Sequence, residues 1–187
     1  MQKKYEAKYE GAPAQVREVL LSAALADKRA AALGAPAGSY SFERRVSGEH
    51  GEHDKHGEHG ELINTVLRTE VPASALPAQV QKLLSKKLRI VVESSSRHAG
   101  GNDAAGTSTF VIELAVRIEG APVTAAGTVM LKPESGSGNP PARTTAEIAA
   151  NFSVRVPFIG ASIEAKAANM LPDLLARDAE LVNSLLH

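Results

Sequence analysis

The chain has 187 residues, 43% of them hydrophobic and 22% charged, and its 21 basic side chains balance 21 acidic ones. That length suits one domain, residues 1–187, with a substantial core, and zero net charge argues against a nucleic-acid or anionic-membrane binder, which needs a positive surface. Cysteine is absent, which excludes disulfides, thiol catalysis and cysteine zinc sites; no apolar run follows Lys3 and Lys4 to make a signal peptide, nothing approaches the ~18 apolar residues of a membrane span, and the expectation is a cytoplasmic protein.

Tyr5, Ala7 and Tyr9 alternate with polar residues, so Lys4 to Tyr9 reads as a short strand. Pro13 suits the first turn of a helix, and Val16, Val19, Leu20 and Ala23 or Ala24 continue at helical spacing. A second short helix is expected over Asp27 to Leu33, stopped by Gly34 and Pro36. Ser39 to Ser47 alternates again, with Tyr40, Phe42 and Val46 on one side, and Glu61 to Val71 forms its partner, with Ile63, Thr65, Leu67, Thr69 and Val71 sharing a face. Between them lies a Gly- and His-rich segment of low complexity, residues 48–60.

A short helix is expected within Pro72 to Lys87, then a strand over Leu88 to Ser94 and a Gly-rich loop from Ala99 to Gly106. The clearest strand signal is the alternation Phe110, Ile112, Leu114, Val116, Ile118. A turn at Gly120-Ala121-Pro122 leads to Val123, Ala125, Gly127, Val129 and Leu131 on one face of the next strand. After a Ser/Gly/Pro-rich loop, Thr144 to Val156 carries Ala146, Ile148, Ala150, Phe152, Val154 and Val156 on one side. One more apolar face per strand means one covered face of the sheet.

Gly160 to Leu186 reads as a long helix with Ile163, Ala167, Met170, Leu171, Leu174, Leu181, Val182 and Leu185 in an apolar stripe. Ser162 is the expected N-cap, and Pro172 the expected site of a kink. The helix would run about 40 Å, close to the roughly 33 Å of a ten-residue strand. The fold class is therefore α+β, with a curved antiparallel sheet wrapped around this helix.

The order of elements resembles the START-like helix-grip superfamily (SRPBCC), which includes pollen-allergen and polyketide-cyclase-like domains. Within it the chain is similar to an uncharacterised bacterial family of single-domain proteins. The likeness is most specific at Val154-Arg155-Val156-Pro157-Phe158-Ile159-Gly160-Ala161-Ser162-Ile163-Glu164. Further matches are Val71-Pro72 with Leu76-Pro77, Leu83 to Val92, Gly120-Ala121-Pro122-Val123 and Gly127 to Pro133. Where that family often carries an aromatic near Glu93, this chain has Ser94-Ser95-Ser96. The resemblance implies the helix-grip fold and a ligand cavity, and it brings no catalytic motif.

Three functions remain open on the sequence. The first is binding or carriage of an apolar or amphipathic, lipid-like molecule between sheet and helix. Small residues Ala125, Gly127, Ala146 and Ala150 opposite Ala167 and Met170 would either pack closely or leave room for it. Its lining would be Phe42, Phe110, Ile112, Leu114, Ala150, Phe152, Ile163, Ala167, Met170 and Leu174. The second is a cyclase- or hydrolase-like enzyme using Tyr5, Tyr9, Tyr40 or Arg44. No nucleophile-elbow, metalloprotease, P-loop or dinucleotide motif occurs, so no catalytic residue and no cofactor is assigned and the reading leans away from an enzyme. The third is a protein-interaction module with a metal-responsive loop. His50, His53, His56 and His59 recur every third residue, a spacing that brings imidazoles together on a helix, but the interleaved glycines favour a solvated loop. Lone His98, beside the Gly-rich loop, reads as a surface residue.

Overall fold

The structure is a computed structural model, and it describes residues 2–36, 38–47, 61–72, 87–101, 108–134, 143–155 and 160–186. Strand β1 (Gln2–Tyr9) leads into helices α1 (Pro13–Leu20) and α2 (Ala23–Ala32). Strands β2 (Tyr40–Ser47), β3 (Leu62–Pro72), β4 (Lys87–Gly100), β5 (Thr109–Glu119), β6 (Val123–Pro133) and β7 (Thr144–Val154) follow, then helix α3 (Gly160–Leu186). The strands form one antiparallel seven-stranded sheet in the order β1-β7-β6-β5-β4-β3-β2. This is the expected helix-grip architecture.

The two expected helices are present, but the boundary between them falls earlier than the spacing suggested, with α1 ending at Leu20 and α2 starting at Ala23. The break falls at Ser22, whose Oγ accepts the Leu25 N–H at 3.2 Å and donates to the Val19 carbonyl at 2.8 Å. A serine that caps one helix and closes another ends the apolar period where pattern alone runs on. Pro13 opens α1 as expected, and the Gln15 amide oxygen accepts the Ala12 N–H at 3.1 Å.

Strand β4 also departs from expectation, running on through Ser94-Ser95-Ser96-Arg97-His98 to Gly100. These residues lack strand-forming side chains. Ser94 to Ser96 are held instead by ladders on both sides, Ser96 opposite Ile63 of β3 and Ile112 of β5, and Arg97, His98 and Gly100 by the ladder with β5. Ser162 likewise is not a cap: α3 starts at Gly160, and Ser162 is a residue of its first turn. The expected short helix over residues 73–86, the His-rich segment 48–60 and the exit turn 156–159 lie outside the described residues.

Register fixes the two faces of the sheet. Tyr5–Ile148–Val129–Ile112–Ser96–Ile63–Val46 is one cross-strand row on the concave side. Helices α1 and α2 lie over it, and Tyr9, Val16, Leu21, Leu25, Ile63, Phe110, Ile112, Leu131, Ala146 and Val182 close the core. The convex side carries cross-strand ion pairs: Arg68 with Glu43, Arg89 with Glu70 and Glu119, and Arg117 with Glu93. Each is exposed enough to contribute little, but together they mark the solvent face.

Helix α3 is continuous through Pro172. Proline has no N–H, so the Ala168 carbonyl one turn earlier loses its intrahelical donor. The Tyr5 hydroxyl donates to that carbonyl at 3.0 Å, which ties β1 to the helix at the point where the ladder is interrupted. Tyr5→Phe should lower stability by about 1 kcal/mol. In a Pro172→Ala background, where the helix satisfies Ala168 itself, the same change should cost less, and urea melts of the four chains give that coupling.

The C-terminal half of α3 is fastened to α2 at two points. Asp178 takes a two-pronged contact from Arg29 of α2, both distances 2.6 Å, and Lys28 donates to Ser184 Oγ at 2.9 Å. Tyr9 lies beside the Arg29–Asp178 pair at 3% exposure. Burial pushes its phenol up to about 12, the Asp178 charge adding to the effect and Arg29 opposing it. An unfolded tyrosine ionises near ~10, so the full contribution of Tyr9 is present below that pH and is lost as pH rises toward the folded value. Wild-type protein should therefore lose on the order of 2 kcal/mol more than Tyr9→Phe between about pH 9 and pH 12, read from urea midpoints.

Candidate functional site

The concave face has a closed half and a less covered half. Under α1 and α2 the rows are buried: Phe110 at 2%, Ile112 at 3%, Leu131 at 0%. Further along the same strands, Leu114, Val116 and Ile118 of β5, Ala125 and Gly127 of β6, and Ala150 and Phe152 of β7 are only half-buried. So are Ile90 and Val92 of β4, Leu67 of β3 and Phe42 of β2, and register joins them: Phe42–Leu67–Val92–Val116–Ala125–Phe152 forms one row across the sheet.

Helix α3 borders this region with a second apolar surface. Its contacts with the sheet fall on β1 and β7 at the sheet's edge. The side turned to β1 carries Pro172, Leu175, Ala176 and Ala179, which line a depression of about 300 Å³ with Tyr5, Ala7 and Lys8. At about 100° per residue, Ile163, Ala167, Met170 and Leu174 lie together on another flank. Asp178 continues that flank and is where α2 attaches. Beyond this attachment, Met170 is 48% exposed and Leu174 49%, the two large apolar side chains of the helix that stand exposed among the described residues. The sequence read Ile163, Ala167, Met170 and Leu174 as one apolar stripe with Leu171, Leu181, Val182 and Leu185, and did not single out Leu175 or Ala179. The structure buries Val182 and leaves Met170 and Leu174 half open, and the polar contacts of α2 with the helix, at Asp178 and Ser184, fall in its C-terminal half.

The expected lining residues thus fall into three groups. Phe110 and Ile112 are closed in the core beneath α1. Leu114, Ala150 and Phe152 lie on the less covered half of the concave face, with Phe42 at the far edge strand. Ile163, Ala167, Met170 and Leu174 lie on the flank of α3. Phe152 also lines a depression of about 280 Å³ with Ala161, Glu164, Ala165 and Ala168. Glu164 closes its end by accepting the Val154 N–H at 2.8 Å. A further depression of about 320 Å³ reaches Leu114 and Ala150 from the convex side, over Gly127 and between Glu113, Ala126, Thr128, Ala149 and Asn151. A Cβ on Gly127 would stand 3.0 Å from the Ala149 carbonyl oxygen, so any other residue there requires that carbonyl to shift by a few tenths of an ångström.

The polar candidates are each engaged elsewhere. Tyr5 holds Ala168, Tyr9 is in the core, the pKa of the Tyr40 phenol is raised by burial and by the nearby Asp27 carboxylate, and Arg44 pairs with Glu18 at 2.6 Å. Among the described residues no group of three or more His, Asp or Glu side chains is placed to hold a metal. His50, His53, His56 and His59 lie outside those residues.

The sequence missed a buried polar node. Arg17 of α1 is 6% exposed. Its Nε donates to Ser96 Oγ at 3.0 Å and its Nη2 to the Glu61 carbonyl at 2.7 Å. Its guanidinium stands 4.8 Å from the centre of the Phe110 ring, and His98 meets the same ring edge-on at 5.4 Å. His98 is therefore a half-buried strand residue, 3.3 Å from Ser108 Oγ, and not a surface histidine. A polar Ser96 in the middle of an otherwise apolar row was the available signal, since a buried hydroxyl needs a partner.

The family model described as "Protein of unknown function (DUF2505)" matches residues 4–186. No curated protein matches significantly. Among solved structures, a protein of Thermus thermophilus is similar with a TM-score of 0.51 at 9% identity, covering 100% of this chain and 97% of that one. Norcoclaurine synthase from Thalictrum flavum gives a TM-score of 0.45 at 12% identity, with 100% and 86% covered. Ara h 8.0201 gives 0.39 at 8% identity, with 100% and 97% covered. At such identities the Thermus likeness bears on the fold alone, and the other two carry no argument about activity. Among the described residues no helix is long and apolar enough to cross a membrane.

Proposed function

This chain belongs to the family described as protein of unknown function (DUF2505), and from that premise we propose that it binds an apolar or amphipathic, lipid-like small molecule between the concave sheet face and the flank of α3. One observation carries the reading. Two apolar surfaces, the row from Phe42 to Phe152 and the flank from Ile163 to Leu174, are left partly uncovered on the same side of the sheet. Apolar surface kept from close packing is costly unless something covers it. Leu114, Ala150, Phe152, Ala167, Met170 and Leu174 would touch the ligand, with Phe110 and Ile112 as the closed end.

Binding without catalysis fits the same residues, because the polar groups near the region are already held by neighbours. The cysteine-free composition suits a carrier working in the reducing cytoplasm. The test is native mass spectrometry of the chain purified gently from its producing cell, with titration of a fluorescent fatty-acid probe. A retained small-molecule mass and saturable probe binding are expected. Ala150→Trp, which fills the space without removing a contact, should weaken probe binding by at least roughly tenfold while leaving the circular dichroism unchanged. A bare chain mass together with no saturable binding ends the proposal.

A further inference from the structure

Among the described residues the sheet ends at β2, with β3 on its other side. The phase of that edge is readable. The Glu70 N–H donates to the Ser39 carbonyl at 3.1 Å, and Tyr40 stands opposite Thr69. Antiparallel pairs alternate between residues that exchange backbone bonds and residues whose backbone groups point away. Hence Ser41, Glu43, Arg45 and Ser47 turn their N–H and C=O groups to β3. Phe42, Arg44 and Val46 turn theirs to the open edge.

Natural edge strands are usually protected by proline, a bulge, shortness or an unpaired charge. Strand β2 has eight residues, no proline and an unbroken register with β3. Its one concave-side charge, Arg44, is neutralised by Glu18. Val46, by contrast, is 49% exposed, an apolar residue at the rim of a sheet.

We propose that β2 is a dimer interface, pairing antiparallel with β2 of a second copy in a register centred on Arg44, so that the two sheets become one. This register sets Phe42 against Val46 of the second copy on the concave side, and Val46 against its Phe42. On the convex side it sets Glu43 against Arg45 of the second copy, and Arg45 against its Glu43. Those charged pairs fall at the positions where facing side chains come closest. Within one chain Arg45 lies 3.6 Å from Glu43, which also pairs with Arg68 at 2.8 Å, but Arg45 stays 82% exposed and Glu43 49%, so these weak surface pairs can be exchanged for the intermolecular ones. Arg44 meets Arg44 of the second copy, but in a hydrogen-bonded pair, where facing side chains stand farther apart, and each is paired with Glu18 of its own chain. In the neighbouring registers the like charges fall at the close positions: centring on Glu43 opposes two glutamates, and centring on Arg45 opposes two arginines and leaves Phe42 past the end of the strand. The backbone phase agrees, because Phe42, Arg44 and Val46, whose groups face the edge, are the residues brought into hydrogen-bonded pairs.

Sedimentation equilibrium of the full chain over micromolar concentrations tests this. Twice the chain mass is expected. Glu43→Arg alone and Arg45→Glu alone each turn two attractions into two repulsions and should weaken association by roughly tenfold or more. An equimolar mixture of those two variants restores both ion pairs in the mixed dimer and should associate like wild type. That rescue shows that each variant folds. Val46→Pro removes an edge-facing N–H without touching the β2–β3 ladder and should give a monomer with unchanged circular dichroism. A wild-type monomer at every concentration overturns the proposal, as does a dimer that none of these changes weakens.

Discussion

Gly160→Ala should destabilise the protein, although the same exchange inside an ordinary helix is stabilising. An alanine in place of a helical glycine usually gains about 1 kcal/mol through reduced backbone entropy in the unfolded chain. Here a Cβ on residue 160 would press into the Val154 carbonyl oxygen, closer than real Cβ atoms approach backbone. Neither partner can swing aside: Val154 ends β7 opposite Val123, and its own N–H is held by Glu164. Overpacking of this kind costs about 1–3 kcal/mol, occasionally more, so the contact outweighs the propensity. For a domain of this size that corresponds to a fall in Tm of roughly 2–10 °C. Gly34 makes the contrast, since it has a φ of +69° and no atom within 4 Å of a would-be Cβ. Substitution there is resisted by conformation, at Gly160 by contact. An unchanged or raised Tm in Gly160→Ala would show that strand and helix are not joined this tightly.

That glycine also shows what the sequence could reveal. The Val-Pro-Phe-Ile-Gly run pointed to a strand-to-helix junction, and the helix begins at Gly160 as expected. Period-two and period-3.6 patterns located every described strand and the long helix, because each buries one face and the pattern follows burial. What the pattern could not give was depth along an element. Ile112 and Leu114 are successive inward residues of β5, yet one is in the core and the other is half open. The difference arises from α1, which is far away in sequence. Met170 and Val182 likewise share an apolar stripe, but only Val182 belongs to the buried cluster with Val16 of α1 and Leu25 of α2. Polar residues were the other blind spot. Ser95 to Gly100 carries no strand signal and is strand through its neighbours' ladders, and nothing in the helical spacing around Val16 and Val19 singles out Arg17. Side-chain hydrogen bonds across 79 positions of chain, such as that from Arg17 to Ser96, leave no local trace.

Arg17→Met should have the other large effect, a loss of about 2–3 kcal/mol. Methionine keeps most of the apolar stem, so little packing is removed. What goes is the guanidinium that satisfies Ser96 Oγ and the Glu61 carbonyl. Ser96 is 0% exposed, so its hydroxyl is stranded without water. Leaving one buried polar group unmet costs about 1–3 kcal/mol, and the cation–ring contact with Phe110 contributes further. The Glu61 carboxylate adds little, because it lies 3.4 Å from Nη1 and is half exposed, where ion pairs are weak. Arg17→Lys should rescue only a small part of the loss, since an ammonium cannot reach both Ser96 and Glu61 from one fork. The second exchange that separates the causes is Ser96→Ala. If the stranded hydroxyl dominates, Arg17→Met made in the Ser96→Ala chain should cost at least about 1 kcal/mol less than in wild type, as urea midpoints would report. Equal costs in both backgrounds would instead assign Arg17 to packing on Phe110, and Phe110→Leu would then become the coupled partner.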